Sequence, residues 1–369
     1  SHQEHNSLYS RTMNRNYIHQ AVFAVLLLLG GLPLVAAKVK VFILIGQSNM
    51  YGAGKVDQLV QMKDSYQEVF ESNSEFATRS DVRIVSNQIF TFSPVDFPAA
   101  DLSVGAGMKA TSDGFGPEIG FGWTVGDEFD EPILLIKCAF GGTHLGVEWR
   151  SPSAPTANYG DEFAPANYGS IWKLMILMVE RITSDLEKYV PGQGGDGYEI
   201  SGILWMQGWN DAFNDYMRDD YETNLAYFVE DLLETFGSNI PILIAELGQE
   251  GEVPHQYGVE IVRQAQLDVV ASFAMPNVVF LPTSPYVETA EPQLDGIHHY
   301  FGRADTVMEI GKAFGREIIF QSLVAAAPPA ISPTNPPMSF TFEAPTMAPM
   351  TEAPYLRMNN KSAVKFGSG

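Results

Sequence analysis

From Val39 onward, short runs of β-branched and other apolar residues alternate with longer stretches whose apolar residues recur at helical spacing. No other feature constrains the fold as much. A strand, a crossover helix and a second parallel strand form a unit that repeats only in a sheet covered by helices on both faces. The strand candidates are residues 39–45, 133–139, 200–206, 240–246 and 278–281. The helix candidates between and after them are 170–189, 221–236, 260–273 and 304–323, as in Leu225, Phe228, Val229, Leu232 and Leu233. The expected fold class is therefore α/β, a three-layer α/β/α sandwich around a mainly parallel sheet. Residues 55–116 are irregular, with strand character only at 82–84 and 89–92, and are expected to form an elaborated loop region over one end of the sheet.

The chain of 369 residues is 45% hydrophobic, enough for a substantial core. Its formal charge of -22 is dispersed rather than gathered in a tail, which argues against nucleic acid or an anionic membrane surface as a partner. Cys138 is the one cysteine, so no intrachain disulfide forms; it lies in an apolar run and reads as a small buried hydrophobe. Arg15, the apolar stretch from Ala21 to Leu29 and the small residues ending at Ala37 have the layout of a secretory signal peptide, with Met13 as the start and cleavage before Lys38; a short uncleaved anchor is the alternative. Residues 1–37 are thus set aside, 38–324 form the folded domain, and 325–369 form a Pro- and Thr-rich disordered tail carrying an Asn360-Lys361-Ser362 sequon. The expected location is secreted or extracellular, with no membrane association beyond the signal. Oligomeric state is left open.

In open α/β sheets ligands bind beyond the carboxyl ends of the strands, and the residues just after the strand candidates carry chemistry. The first strand breaks at Gly46 and delivers Ser48 to a turn, where a hydroxyl is placed for nucleophilic attack. Gly141 and Gly142 follow the second strand, and Gly142 is the preferred second backbone donor to an oxyanion beside the N–H of Ser48. Gln207 and Asn210 follow the third strand; either amide suits a further oxyanion contact, and Asn210 also reads as a helix N-cap. Near the end, Asp295 and His298 supply a carboxylate and an imidazole, His298 to take the proton from Ser48 and Asp295 to hold the ring. His299, adjacent to His298 in an extended segment, is expected to point to the opposite side, with no acidic or cysteine cluster at ligand spacing beside the pair, so no metal site and no cofactor are expected. His144 is placed either in the pocket or on the surface.

The blocks GQSNMYG (46–52), FGPEIGFG (115–122), IKCAFGGTHL (136–145), WMQGWND (205–211), VRQAQ (262–266) and DGIHHYFG (295–302) run in order along residues 39–320. Together they resemble the SGNH hydrolase superfamily, within it the carbohydrate acetylesterases that include sialate O-acetylesterases and acetyl xylan esterase-like proteins. The resemblance implies a flavodoxin-like sandwich and a serine esterase. Ser48 becomes the nucleophile, Asp295 and His298 the late pair, Gly142 the glycine donor, and Asn210 or Gln207 the amide donor. Trp209 stands where many relatives have Glu; an indole cannot replace a carboxylate's hydrogen bonds but offers a face on which a sugar ring stacks.

The resulting expectation is a secreted serine esterase acting on an O-acetylated carbohydrate through an acetyl-serine intermediate. A lipid or aryl esterase on the same fold, and a catalytically silent carbohydrate-binding module, are the competing readings.

Overall fold

The computed structural model of the protein describes residues 37–87, 97–106, 113–160, 163, 165–253 and 256–326. Residues 1–36 of the expected signal segment, residues 89–92 and the Pro-rich stretch from residue 327 with its sequon lie outside the described residues. Among the described residues seven strands form the central sheet: β1 (Val39–Gly46), β3 (Thr78–Ser86), β4 (Ala99–Ser103), β6 (Ile133–Ala139), β7 (Tyr198–Met206), β8 (Ile242–Ala245) and β9 (Val278–Leu281), with β2 (Gly54–Lys55) and β5 (Gly114–Phe115) pairing separately. The order across the sheet is β4-β3-β6-β1-β7-β8-β9, parallel except for β4 on β3 at the edge.

The central strands are apolar on both faces because both faces are covered. Val39, Val41, Ile43 and Ile45 of β1 pack toward α3 (Ser170–Ser184), α5 (Tyr221–Phe236) and α6 (Tyr257–Phe273). Phe42 and Leu44 pack toward α2 (Glu118–Glu128) and α7 (Ala304–Ala326) on the other side. The architecture is thus the expected three-layer α/β/α sandwich. Cys138 is fully buried in the first of these cores, and burial pushes its thiol pKa up, consistent with an inert hydrophobe.

Two parts differ from the sequence reading. Residues 55–116 are not only loops: β3 extends the parallel sheet beside β6, and β4 closes that edge. Half of β3 reads TRSD, the polar composition of a strand with little burial, which hides it from a search for apolar runs. The helix α2 was also unexpected, since EIGFGWTVGDE carries three glycines that disfavour a helix in isolation. Close packing compensates: a Cβ on Gly120 would overlap the carbonyl of Met308, and one on Gly311 the carbonyl of Pro117, so these glycines let α2 and α7 approach backbone to backbone.

Candidate active site

At the end of β1 the chain leaves the sheet at Gly46 with φ +151°, pressed so closely on β7 that a Cβ would run into the carbonyl of Met206. Ser48 then begins the short helix α1 (Ser48–Gly52), partly exposed. As the first helical residue it has no intrahelical acceptor for its N–H. The preceding Gln47 is buried and fixes this turn: its N–H donates to the Met206 carbonyl (3.0 Å), its Oε1 accepts from the N–H of Gly208 (3.0 Å), and its Nε2 donates to Asn210 Oδ1 (3.2 Å).

That chain of bonds fixes which way Asn210 faces. A backbone N–H only donates, so Gln47 presents its oxygen to Gly208 and its nitrogen to Asn210; the nitrogen of Asn210 is left over. Nδ2 of Asn210 has no acceptor among the described residues. Asn210 lies within the short helix α4 (Trp209–Ala212) and is not its N-cap, which is Gly208. Gln207 is in the opposite situation. Its Nε2 donates to the Thr143 carbonyl (3.1 Å) and to Asp211 Oδ2 (2.5 Å), while its Oε1 accepts from the Tyr221 hydroxyl (3.2 Å). With both ends engaged and only 3% of the residue exposed, Gln207 is a buried brace.

After β6, Gly141 comes against the turn that carries Ser48: a Cβ on it would lie 3.7 Å from Ser48 Cβ. Gly142 follows in the left-handed region (φ +74°), with open space where a side chain would stand. Asp211, fully buried, pins the far end of this loop by accepting from the N–H groups of Leu145 (3.1 Å) and Gly146 (3.2 Å). Burial pushes its carboxyl up to about 6, against the opposing pull of His144 and of the donors it accepts from. His144 Nδ1 lies 3.2 Å from Glu148 Oε2; burial alone would lower the imidazole pKa, but Glu148 and Asp211 hold it above the ordinary value.

The late segment arrives through Asn49, whose Nδ2 donates to the main-chain carbonyl of His298 at 2.9 Å. Residues 295–302 do not run extended. The chain turns as a 3₁₀ segment, Ile297–Gly302, with Tyr300 and Phe301 at positive φ, so the rings of His298 and His299 lie with centroids 4.0 Å apart. The expectation that the two rings point apart, with no acidic cluster at ligand spacing beside them, is therefore corrected. Asp295 joins them, and one ligand atom from each of Asp295, His298 and His299 falls within 4.8 Å of the others, a grouping able to hold a metal ion.

The expected pairing is also redistributed. Asp295 Oδ2 is hydrogen-bonded to Nδ1 of His299 (3.1 Å), Oδ1 accepts from the N–H of Gly296 (2.7 Å), and Lys55 Nζ stands 3.8 Å away. Burial pushes the Asp295 carboxyl up, but these three neighbours outweigh it and hold the pKa below the ordinary value. The His298 ring folds over Gly296, where a Cβ would fall 2.6 Å from it, and its centroid is 6.0 Å from that of Trp209.

Ser48, the Gly141-Gly142 turn, Asn210, Trp209 and His298 thus gather beyond the carboxyl ends of β1, β6 and β7. The sequence reading missed Gln47, Asn49 and Asp211 in this assembly, and also Gln266, whose Oε1 accepts from the N–H of Leu247 (2.8 Å) and whose Nε2 donates to the Gln207 carbonyl (3.2 Å). Their signal was present, since all four fall inside the blocks GQSNMYG, WMQGWND and VRQAQ.

Residues 38–319 match a family model described as carbohydrate esterase, sialic acid-specific acetylesterase. No curated protein sequence matches the chain. Similar solved structures include a protein from Arabidopsis thaliana (20% identity, 77% of this chain and 98% of that one, TM-score 0.49). A carbohydrate acetylesterase from Xanthomonas citri (14% identity, 74% and 54%, TM-score 0.45) and NanS (10% identity, 78% and 99%, TM-score 0.45) are also similar.

Proposed function

The chain belongs to the sialic acid-specific acetylesterase family of carbohydrate esterases, and on that premise we propose that it is a secreted serine esterase that removes O-acetyl groups from carbohydrate through an acetyl-serine intermediate. The observation that carries this reading is the convergence on Ser48. Gly141 packs against it, Gln47 links its turn to Asn210, and Asn49 links its helix to His298.

In this reading Ser48 Oγ attacks the acetyl carbonyl while His298 takes the hydroxyl proton. The N–H groups of Ser48 and Gly142 and the Nδ2 of Asn210 receive the oxyanion. His298 then protonates the departing sugar hydroxyl, and water, deprotonated by the same imidazole, releases acetate from Ser48. Asp295 supports the imidazolium by turning its carboxylate from His299 toward His298, the kind of contact that tightens only with substrate bound. No step requires a metal or cofactor. Secretion is supported by the apolar N-terminal segment with its small-residue end.

One observation favours a second assignment of the base: Asp295 is bonded to His299 in this structure. Acetate release by the Ser48→Ala, His298→Ala and His299→Ala variants decides between them. Loss of about 10³-fold or more in S48A and H298A, with a smaller effect in H299A, is the expected result. The reverse order of the two histidines assigns the base to His299, and full activity in S48A overturns the serine mechanism.

A further inference from the structure

The surface bordering His298 carries aromatic side chains, two of them largely exposed. Trp209, half-buried against the core, is the common neighbour of His298 and Phe213: the Trp209 and Phe213 ring centroids are 4.9 Å apart at an interplanar angle of 43°. Phe213 is 52% exposed and Tyr257, at the start of α6, 68%. Tyr257 belongs to the same border, because Gly258 packs on the carbonyl of Ala212 so tightly that a Cβ there would overlap it. The Arg218 guanidinium lies 5.4 Å from the Tyr257 ring centroid. Single exposed apolar residues are ordinary on a protein surface, whereas several aromatic rings clustered at the edge of a reactive site mark a binding surface.

The charges around this border indicate what it binds. Arg218 is already shared between Asp215 (2.7 Å) and Asp219 (3.1 Å). Lys55 stands between Asp295 (3.8 Å) and Asp113 (4.0 Å), and the buried Arg263 is paired with Glu246 (3.2 Å). Among the described residues of this border, a sugar bearing a carboxylate would have to share Arg218 or Lys55 with protein carboxylates that already hold them, next to the exposed acids Asp215 and Asp219, on a chain of net charge -22. An uncharged sugar meets no such penalty, and the C–H face of its ring is what an aromatic side chain stacks against.

We propose that Trp209, Phe213 and Tyr257 form a stacking platform for consecutive rings of an uncharged O-acetylated polysaccharide, with Phe213 the residue that separates a polymer from a free acetylated sugar. The proposal rests on the esterase reading above. Trp209 alone is wide enough for one sugar ring beside His298; Phe213 and Tyr257 gain burial only if the glycan continues past it.

The test measures acetate release by the full chain and by its Phe213→Ala, Tyr257→Ala and Phe213→Trp variants. Substrates are acetylated xylan, acetylated pectin, O-acetylated sialic acid and an aryl acetate. The wild type is expected to prefer acetylated xylan over both acidic substrates. Relative to the aryl acetate, F213A is expected to lose about 10-fold in kcat/KM on acetylated xylan through KM, with Y257A losing less and F213W restoring the wild-type ratio. An unchanged xylan-to-aryl-acetate ratio in both F213A and Y257A, or a wild-type preference for sialic acid or pectin, overturns the platform while leaving the esterase reading intact. A wild type that hydrolyses none of the four esters overturns both.

Discussion

The side-chain amide of Asn49 donates to the main-chain carbonyl of His298 across 2.9 Å, joining the residue after Ser48 to the proposed base, 249 positions further along the chain. The bond ties helix α1 to the late segment, so the placement of the imidazole relative to Ser48 depends on a residue outside the proposed proton transfer. Asn49→Ala is expected to lower kcat on an aryl acetate by about 10- to 100-fold, the scale of a small misplacement of reacting groups. KM changes little, and the fold costs about 1–2 kcal/mol for the carbonyl left unpaired. Steady-state kinetics with urea unfolding of the same variant separates the two effects.

The two amides that follow β7 are expected to fail differently when truncated. Asn210→Ala removes the one donor whose Nδ2 faces no acceptor among the described residues, so kcat is expected to fall by about 10²- to 10³-fold with little change in stability. Gln207→Ala leaves the Thr143 carbonyl and the Tyr221 hydroxyl each without one partner in a buried region, and is expected to lower unfolding stability by about 2–4 kcal/mol. Parallel kinetics and denaturation of the two variants check the distinction; a stable but inactive Q207A would return Gln207 to the oxyanion site.

The contrast between those amides marks where the sequence stops being readable. β1, β6 and β7 are legible because strands covered on both faces become unbroken apolar runs, and the candidate site residues Ser48, Gly142, Asn210 and His298 sit in the turns that end strands or in the late motif. Gln207 and Asn210 are three residues apart with the same functional group, and only the partners Thr143, Tyr221 and Gln47, distant in sequence, decide that one is buried and engaged while the other faces the site. The pairing of Asp295 with His299 is equally hidden, since it follows from positive φ at Tyr300 and Phe301, residues with no glycine-like signal for that conformation. α2 was missed for a related reason: its glycines disfavour the helix locally and are favourable only against α7.

Asp211 gives the site a pH-dependent support. Its carboxyl titrates near 6 in the folded protein because burial penalises the charge, compared with about 3.9 for an exposed aspartate. The folded state therefore binds more protons than the unfolded state between those values. Stability from this group is fully present below about pH 4 and is lost as pH rises through about 6, a change of up to about 3 kcal/mol. Asp211→Asn removes the titration, so the stability of the wild type relative to D211N is expected to rise as pH falls from 7 to 4. Thermal or chemical unfolding at several pH values measures it, and a gap independent of pH would show that Asp211 stays ionised in the folded protein.

Beneath α1 lies a buried ion pair whose removal separates stability from catalysis. Lys137 of β6 donates to Glu118 Oε2 (2.7 Å) and to the carbonyl of Tyr51 in α1 (2.9 Å), while Glu118 Oε1 accepts from the N–H of Gly116 (2.9 Å). Both side chains are almost wholly out of water, and burial pulls the lysine pKa down despite the carboxylate beside it. Taking away either charge leaves the other buried without its counter-ion, so Glu118→Leu and Lys137→Met are each expected to destabilise the fold by about 3–5 kcal/mol. Replacing both with apolar residues of similar volume removes that penalty, and the double variant K137M/E118L is expected to recover most of the loss. It does not restore the bond to Tyr51, so α1 stays less firmly anchored and kcat remains below that of the wild type. Unfolding free energies for the four proteins give the coupling directly, and additive losses in the double variant would show that the two charges do not stabilise each other.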